Sequence, residues 1–351
     1  MTAVHTGPLT GAEVAGYVAD RPELRELIDP ATLTVSEVGD GNLNQVFVCA
    51  DAAGRRLVLK QALPYVRLVG PSWPMTEQRA AREAAALRVH GALSDVVCRL
   101  LGFDATRHVL ALEDLSDHDV LRTRLNAGGA HAGVVDVLAD YVADVAFGTS
   151  FLGLDEQEFR RRAAAAVNPE LCAITEDLVL TEPFLGAERN SVRGGVAAAV
   201  RRLQDDDAWV DAALALKHRF VTTQEALVHG DLHTGSVFVR GAAGDADFSV
   251  RAFDAEFACY GPVGFDLGLL WANLLFAGVR AAVLGDPERA RSLVDEVPRS
   301  WERFCSRLTA HWPRRHSPGK YPDSFLGWWL RRIRSDALGF AGCEAARRTI
   351  G

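Results

Sequence analysis

Alternating apolar and polar residues are confined to a few short stretches of this chain, and that confinement restricts its architecture more than any other feature. From Leu33 to Lys60 the apolar period is short. Leu33-Thr-Val35 and Val46-Phe-Val48 flank the turn Gly39-Asp-Gly41-Asn42, and Leu57-Val-Leu59-Lys60 follows a second turn at Gly54. Period-two alternation puts one side of each strand against a core, and short glycine turns join antiparallel neighbours, so an antiparallel sheet is expected. Ahead of it, Thr10-Gly-Ala-Glu13 reads as a capping box opening a helix, which Pro22 and Pro30 punctuate. After it, a helical stretch is expected from about Thr76 to His90, with Ala80, Ala84, Leu87 and Gly91 at helical spacing. A short strand at Val109-Leu-Ala-Leu112 then ends at Glu113-Asp-Leu115.

From there to Ala226 the sequence is almost wholly helical in type, broken at Gly128-Gly129, Asn168-Pro169 and Thr181 to Gly186. Strand signals return at Val237-Phe-Val239 and Val250-Arg-Ala-Phe253, and helices resume to the end. No internal repeat or low-complexity linker interrupts the order. The expected fold class is α+β and bilobal. An N-terminal lobe over residues 1–113 holds a twisted antiparallel sheet plus one long helix. A connecting hinge spans 114–118, and a larger, mainly helical lobe spans 119–351. A chain of 351 residues suits two such lobes.

Composition narrows the function classes. With 38 basic and 46 acidic side chains, the net charge of −8 argues against a general nucleic-acid binder. Six cysteines without a Cys-x-x-Cys pair fit reduced, buried thiols better than a disulfide framework or zinc site. No leader-like N-terminus and no run of eighteen apolar residues is found, so a cytoplasmic protein without a membrane span is expected.

The chemistry concentrates around the late hairpin. His229-Gly-Asp231-Leu-His233-Thr-Gly235-Ser236 precedes one strand, and Asp254-Ala-Glu256 follows the next, which brings the acidic groups to one end. Phosphoryl transfer needs one carboxylate to orient the attacking hydroxyl and accept its proton, and others to hold Mg²⁺ against a triphosphate. Asp231 suits the first task, Asp254 and Glu256 the second. Two residues apart on an extended segment, Asp254 and Glu256 would point the same way. The competing reading, turn-capping carboxylates, suits a lone Asp beside Gly better than this spaced set. His229 and His233 stand four apart, as zinc-binding histidines do on a helix, but the glycines argue against a helix there, and hydrogen-bonded structural roles are expected.

The first lobe supplies a matching half. The turn Gly39-Asp-Gly41-Asn42-Leu-Asn44 could close its backbone over phosphates, though a Gly-x-Gly turn is often only a hairpin. Lys60 closes its strand, and Glu83 on the following helix could hold its ammonium toward a nucleotide as an ion pair. Alone, each is an ordinary surface charge. Strand, glycine turn, strand, lysine, helix with glutamate, connector, helices, catalytic Asp and metal carboxylates follow the order of the protein-kinase-like fold.

More specific stretches resemble the S-methyl-5-thioribose kinase family over nearly the whole chain. They are Val38 to Asn44, Leu59 to Val66 with Ser72-Trp73-Pro74, Glu113-Asp-Leu-Ser116 and Val228 to Ser236. Glu256-Phe-Ala258, Tyr260-Gly-Pro262, Gly264-Phe-Asp266 and Leu338 to Cys343 with Arg347-Arg348 complete the set. Aminoglycoside and choline kinases share the logic of Asp231 and Asp254 but not the Tyr65 to Trp73 segment or the arginine pair.

The resemblance implies ATP and Mg²⁺ as cofactors and phosphorylation of the 1-hydroxyl of 5-methylthioribose in methionine salvage. The alternatives are a kinase of another small sugar or amino alcohol on the same fold, and a catalytically inactive nucleotide-binding module. The resemblance makes Asp231 the catalytic aspartate, Asp254 and Glu256 the metal ligands, and Gly39, Gly41, Asn42, Asn44, Lys60 and Glu83 part of the nucleotide site. It gives the adenine edge to backbone groups of Glu113 and Leu115, and places ATP in the cleft between the lobes. Trp73 would cover the sugar from a mobile loop, and Arg347 and Arg348 would neutralise charge on the transferring group. Ala255 stands where the family's metal motif usually has proline, and Ser236 where protein kinases place a metal-binding Asn. The family continues past the arginines while this chain stops at Gly351, so its last helix is expected to be missing or shortened. A homodimer is implied by the family alone.

Overall fold

The computed structural model describes residues 7–39 and 43–351, which divide into two compact units. The first comprises residues 7–92 and 97–118, the second Leu93–Val96 and Asp119–Gly351.

In the first unit the described residues form an antiparallel sheet of five strands in the order Thr34–Glu37, Asn44–Ala50, Arg56–Ala62, Val109–Glu113, Leu100–Asp104. Leu57 and Leu59 are buried with Phe47, Cys49, Val109 and Ala111 against Leu9, Val14, Tyr17 and Val18, the last three on the Gly11–Ala19 helix. That helix starts as its sequence predicts: the Thr10 backbone N–H donates to the Glu13 carboxylate at 2.8 Å. The alternation that buries Leu57 and Leu59 sends Lys60 to the other side of the sheet. Lys60 does not close its strand, which runs on to Ala62 and pairs it with Val46 and Leu110 on both flanks.

In this unit an edge strand and a small hairpin escaped the sequence reading, as did the strands Asp119–Val120, Ala226–Val228 and Cys259–Gly261 of the second unit. The edge strand Leu100–Asp104 is half-buried throughout and carries no clean alternation. Tyr65–Val66 and Gly70–Pro74 form a small hairpin, so Trp73 sits in a short strand rather than a loop. Arg67 ties this hairpin to the main sheet, pairing with Glu37 at 2.6 Å and donating to the Val38 carbonyl at 2.9 Å.

In the second unit Val237–Arg240 pairs with Ser249–Ala252 on one side and with Asp119–Val120 on the other. A second two-stranded ribbon joins Ala226–Val228 to Cys259–Gly261. Long helices Val134–Thr149, Gly264–Val283, Pro287–His311 and Asp323–Ile350 surround them. Gly264–Val283 is long and apolar enough to cross a bilayer, but 61% of its apolar window is buried inside the protein. It is the core helix of the unit. At Gly264 and Gly268 it meets the Asp323–Ile350 helix so closely that any Cβ would fall 2.7 to 2.8 Å from that helix's backbone. Glycines one helical turn apart thus set the line along which the last helix lies, and with it the position of Arg347 and Arg348.

Candidate active site

The sheet unit holds a buried ion pair. Lys60 is 7% and Glu83 1% exposed, and the Lys60 ammonium reaches both Glu83 oxygens at 2.7 and 2.8 Å. The strand presents the lysine, and the Arg79–Gly91 helix presents the glutamate from its buried side. At the start of that helix the sequence reading missed Arg79. It is fully buried and donates to the Leu63, Thr76 and Leu43 carbonyls and to Asn44 Oδ1. Its guanidinium clamps the end of the glycine turn, and the Asn44 side chain is engaged in that clamp. Gly39 lies in an exposed turn, while Gly41 and Asn42 lie outside the described residues.

At the end of this unit Glu113 is bound to Arg99 through its backbone N–H at 3.0 Å and its carboxylate at 2.9 Å. The Leu115 carbonyl accepts from His118 at 2.9 Å, while its N–H takes no partner among the described residues.

The helical unit carries the loop from His229 to Ser236. After the strand Ala226–Val228, the backbone N–H groups of His229 and Gly230 both donate to Asp266, at 2.7 and 2.9 Å. Asp266 stands in the first turn of the core helix, and burial pushes its carboxyl up to about 7 against those two hydrogen bonds. Gly230 has φ +81°, and a Cβ there would collide with the Phe257 carbonyl, so only glycine lets this loop lie so near the Asp254–Phe257 turn. His229 binds that same region. Its Nδ1 accepts from the Asp231 N–H at 3.3 Å, which leaves Nε2–H to donate to the Phe253 carbonyl at 3.0 Å. His229 is thus a structural bridge, as expected.

Asp231 emerges from this bracing with its carboxylate recessed. Burial raises it to about 6; Asp254 and Glu344 push the same way, while Arg347 and Arg348 oppose. The charges of both arginines therefore reach the Asp231 carboxylate. They occupy the last turn of the Asp323–Ile350 helix, where cations are favoured. Glu344, fully buried, holds both: Arg348 Nε donates to it at 2.6 Å and Arg347 Nη1 at 3.3 Å. Its spacing of three and four residues from the pair was a readable signal. The Asp266 position carried no such signal.

The metal turn differs from its expected form. Asp254 and Glu256 do not share an extended segment. Residues Ala255–Phe257 form a 3₁₀ turn, and Asp254 adopts a left-handed backbone at φ 68°, ψ 46°. The two carboxylates nonetheless converge, with oxygens within 4.8 Å of each other. Asn168 supports the turn from behind, donating to the Glu256 and Ala258 carbonyls at 2.8 and 3.1 Å. A left-handed non-glycine residue is strained, and such residues cluster at functional sites. Two converging carboxylates fit a hard divalent cation such as Mg²⁺. Ser236 is 1% exposed and its hydroxyl lies 3.1 Å from His233 Nδ1.

Comparison with known proteins agrees with this chemistry. The phosphotransferase enzyme family matches residues 34–304. Methylthioribose kinase of Yersinia enterocolitica is 39% identical over 363 aligned positions, covering 100% of this chain and 87% of the relative. Methylthioribose kinase of Geobacillus kaustophilus is 40% identical over 358, with the same coverage. Among solved structures, an ethanolamine kinase of Plasmodium vivax gives a TM-score of 0.51 at 11% identity, covering 98% of this chain and 88% of that one. That likeness identifies the protein-kinase-like fold. The chain belongs to the phosphotransferase enzyme family and, within it, to the methylthioribose kinases.

Proposed function

We propose that this protein transfers the γ-phosphoryl group of ATP to the 1-hydroxyl of 5-methylthioribose, giving the 1-phosphate and ADP. The observation that carries the reading is Asp231 lying within the electrostatic reach of Arg347 and Arg348, on a chain about two-fifths identical to methylthioribose kinases.

Each residue has a defined task. Asp231, ionised, accepts the proton of the sugar hydroxyl as its oxygen attacks the phosphorus. Charge spreads over the phosphoryl oxygens in the transition state, and the guanidinium groups of Arg347 and Arg348, preset by Glu344, stabilise it. Asp254 and Glu256 would hold Mg²⁺, which when bound neutralises triphosphate charge. Lys60, steadied by Glu83, binds the nucleotide phosphates, with the backbone at Gly39, Gly41, Asn42 and Asn44 beside them. The Leu115 N–H and the Glu113 backbone meet the adenine edge, and Trp73 covers the sugar. On this reading residues 1–113 form the nucleotide-binding lobe, 114–118 the connector and 119–351 the catalytic and sugar-binding lobe. A cytoplasmic homodimer acting in methionine salvage goes with the same reading.

The test is product identification. Purified protein with ATP, Mg²⁺ and methylthioribose should yield ADP and a sugar phosphate whose phosphorus couples to the anomeric proton by ³¹P NMR. Coupling to another sugar proton, or ATP hydrolysis without sugar phosphate, would overturn the assignment.

A further inference from the structure

We propose that Arg122 is a positioning residue for phosphoryl transfer: it keeps the His233 imidazole neutral and oriented, so that the Asp231 carboxylate is left free to take the proton of the sugar hydroxyl. The proposal rests on the role of Asp231 given above.

Three geometric facts lead to it. Val120 pairs with Phe238, so the short Leu121–Asn126 helix begins beside the reactive hairpin, with Arg122 in its first turn. The point where a Cβ on Gly235 would stand is 2.6 Å from Arg122 Nη2, 2.7 Å from Arg122 Cζ and 2.8 Å from His233 Cε1. Guanidinium and imidazole therefore meet over Gly235, and no residue with a side chain could separate them. Finally, Arg122 Nη2 is buried and makes no hydrogen bond among the described residues. Burying a guanidinium nitrogen without a partner costs free energy, which a purely structural residue would have no reason to sustain.

The imidazole shows what the charge is for. His233 Nδ1 accepts from the Gly235 N–H at 3.0 Å, so the ring proton resides on Nε2, which lies 3.5 Å from Asp231 Oδ2. Protonating His233 would abolish that acceptor and turn the Asp231 contact into an ion pair, occupying the carboxylate that the reaction needs. The charged groups facing the ring are Arg122 from the short helix, Arg348 and Glu344 from the last helix, and Asp231 from its own loop. Burial, then Arg122, then Arg348 hold the imidazole down at about 3, with Glu344 opposing. Arg122 is itself lowered, first by burial and then by Arg348, and it is drawn the other way by Asp231. The histidine is thus a neutral spacer between a fixed cation and the base.

Ring-nitrogen NMR of ¹⁵N-histidine-labelled protein tests this directly. Wild type, Arg122→Met and Arg122→Lys are titrated from pH 8 to pH 5, with His233 assigned by its loss in His233→Gln. In wild type the ring should stay neutral, with its proton on Nε2 throughout. In Arg122→Met it should protonate within the range, its midpoint rising by about two to three pH units, and Arg122→Lys should restore most of the wild-type behaviour. In parallel, kcat of Arg122→Met should fall more steeply at pH 6 than at pH 8. A folded Arg122→Met protein whose His233 titrates as in wild type, or whose kcat loss is the same at both pH values, overturns the proposal. Should Arg122→Met not fold, Arg122→Gln is read in the same way. If no sugar is phosphorylated, the functional reading fails, while the NMR titration still decides what Arg122 does to His233.

Discussion

The two units of this protein treat buried charge in opposite ways. In the sheet unit, Lys60 and Glu83 face each other at 2.7 Å, each cancelling most of the cost of burying the other. In the helical unit like charges are drawn together. Asp254 and Glu256 converge within 4.8 Å, and Asp231 is raised to about 6 by burial with help from Asp254 and Glu344. Left-handed backbone at a non-glycine residue occurs in both units, at His108 in the sheet unit and at Asp254 in the helical unit. A neutralised pair fixes the position of the Lys60 ammonium. Converging carboxylates suit a divalent cation, and groups shifted by burial and by their neighbours are candidates for chemistry.

Removing a carboxylate should therefore have opposite effects on stability in the two units. Asp231→Asn should lower kcat by about 10²- to 10⁴-fold, the usual range for loss of a general base. Its pKa of about 6 lies above the ordinary 3.8, so the folded protein binds this proton more tightly than the unfolded chain. Stability from this group is thus lost as pH rises from about 4 to about 6, and Asp231→Asn should melt at a higher temperature than wild type at pH 8. The wild-type kcat/KM should fall below about pH 6 as the base takes up its proton, a limb that Asp231→Asn should lack. A lower melting temperature in the variant would remove the contrast between the units.

The next effect is of the other sign. Glu83→Gln leaves the Lys60 ammonium buried against a neutral amide and should destabilise the protein by about 3 to 5 kcal/mol in urea unfolding. Lys60→Met combined with Glu83→Leu should recover most of that loss while leaving the enzyme inactive, separating the stability of the pair from its use. Failure of the double variant to recover would mean that the pair does more than cancel its own charges.

Smallest is the strain at Asp254. Asp254→Gly relieves a left-handed residue and one of two crowded carboxylates, and should stabilise the fold by about 1 kcal/mol while abolishing Mg²⁺-dependent turnover. Unchanged stability would mean that the turn carries no stored strain.

What the sequence disclosed follows the same division. Alternation at Phe47, Cys49, Leu57 and Leu59 exposed the sheet because one side of it is wholly apolar, and Lys60 and Glu83 could be paired by the order of elements alone. The half-buried edge strand Leu100–Asp104 has no such alternation to reveal it. In the helical unit Asp231, Asp254 and Glu256 were legible from glycines and strand ends. The left-handed turn at Asp254 was not, because a short Asp-Ala-Glu segment suits several backbones. The partners of Arg79, Arg122 and Asp266 were hidden for a shared reason, although Asp266 lies in one of the stretches that carry the family resemblance. Each of these three is a charged residue in the first turn of a helix, where a solvated charge is commonplace, and its burial is decided by partners distant in sequence, such as Asn44, Gly235 and His229. Glu344 alone could have been found, through its helical spacing to Arg347 and Arg348.

The central claim, that these groups serve the phosphorylation of methylthioribose, is tested most directly by kcat/KM across a substrate panel. Methylthioribose and ribose would each be measured with ATP and Mg²⁺ by ADP release. A single methylene distinguishes substrates by about 10- to 200-fold, and ribose lacks both the sulfur and the methyl group. The account predicts a preference for methylthioribose larger than that range. Equal values for the two sugars would contradict it and leave a kinase of broad sugar specificity.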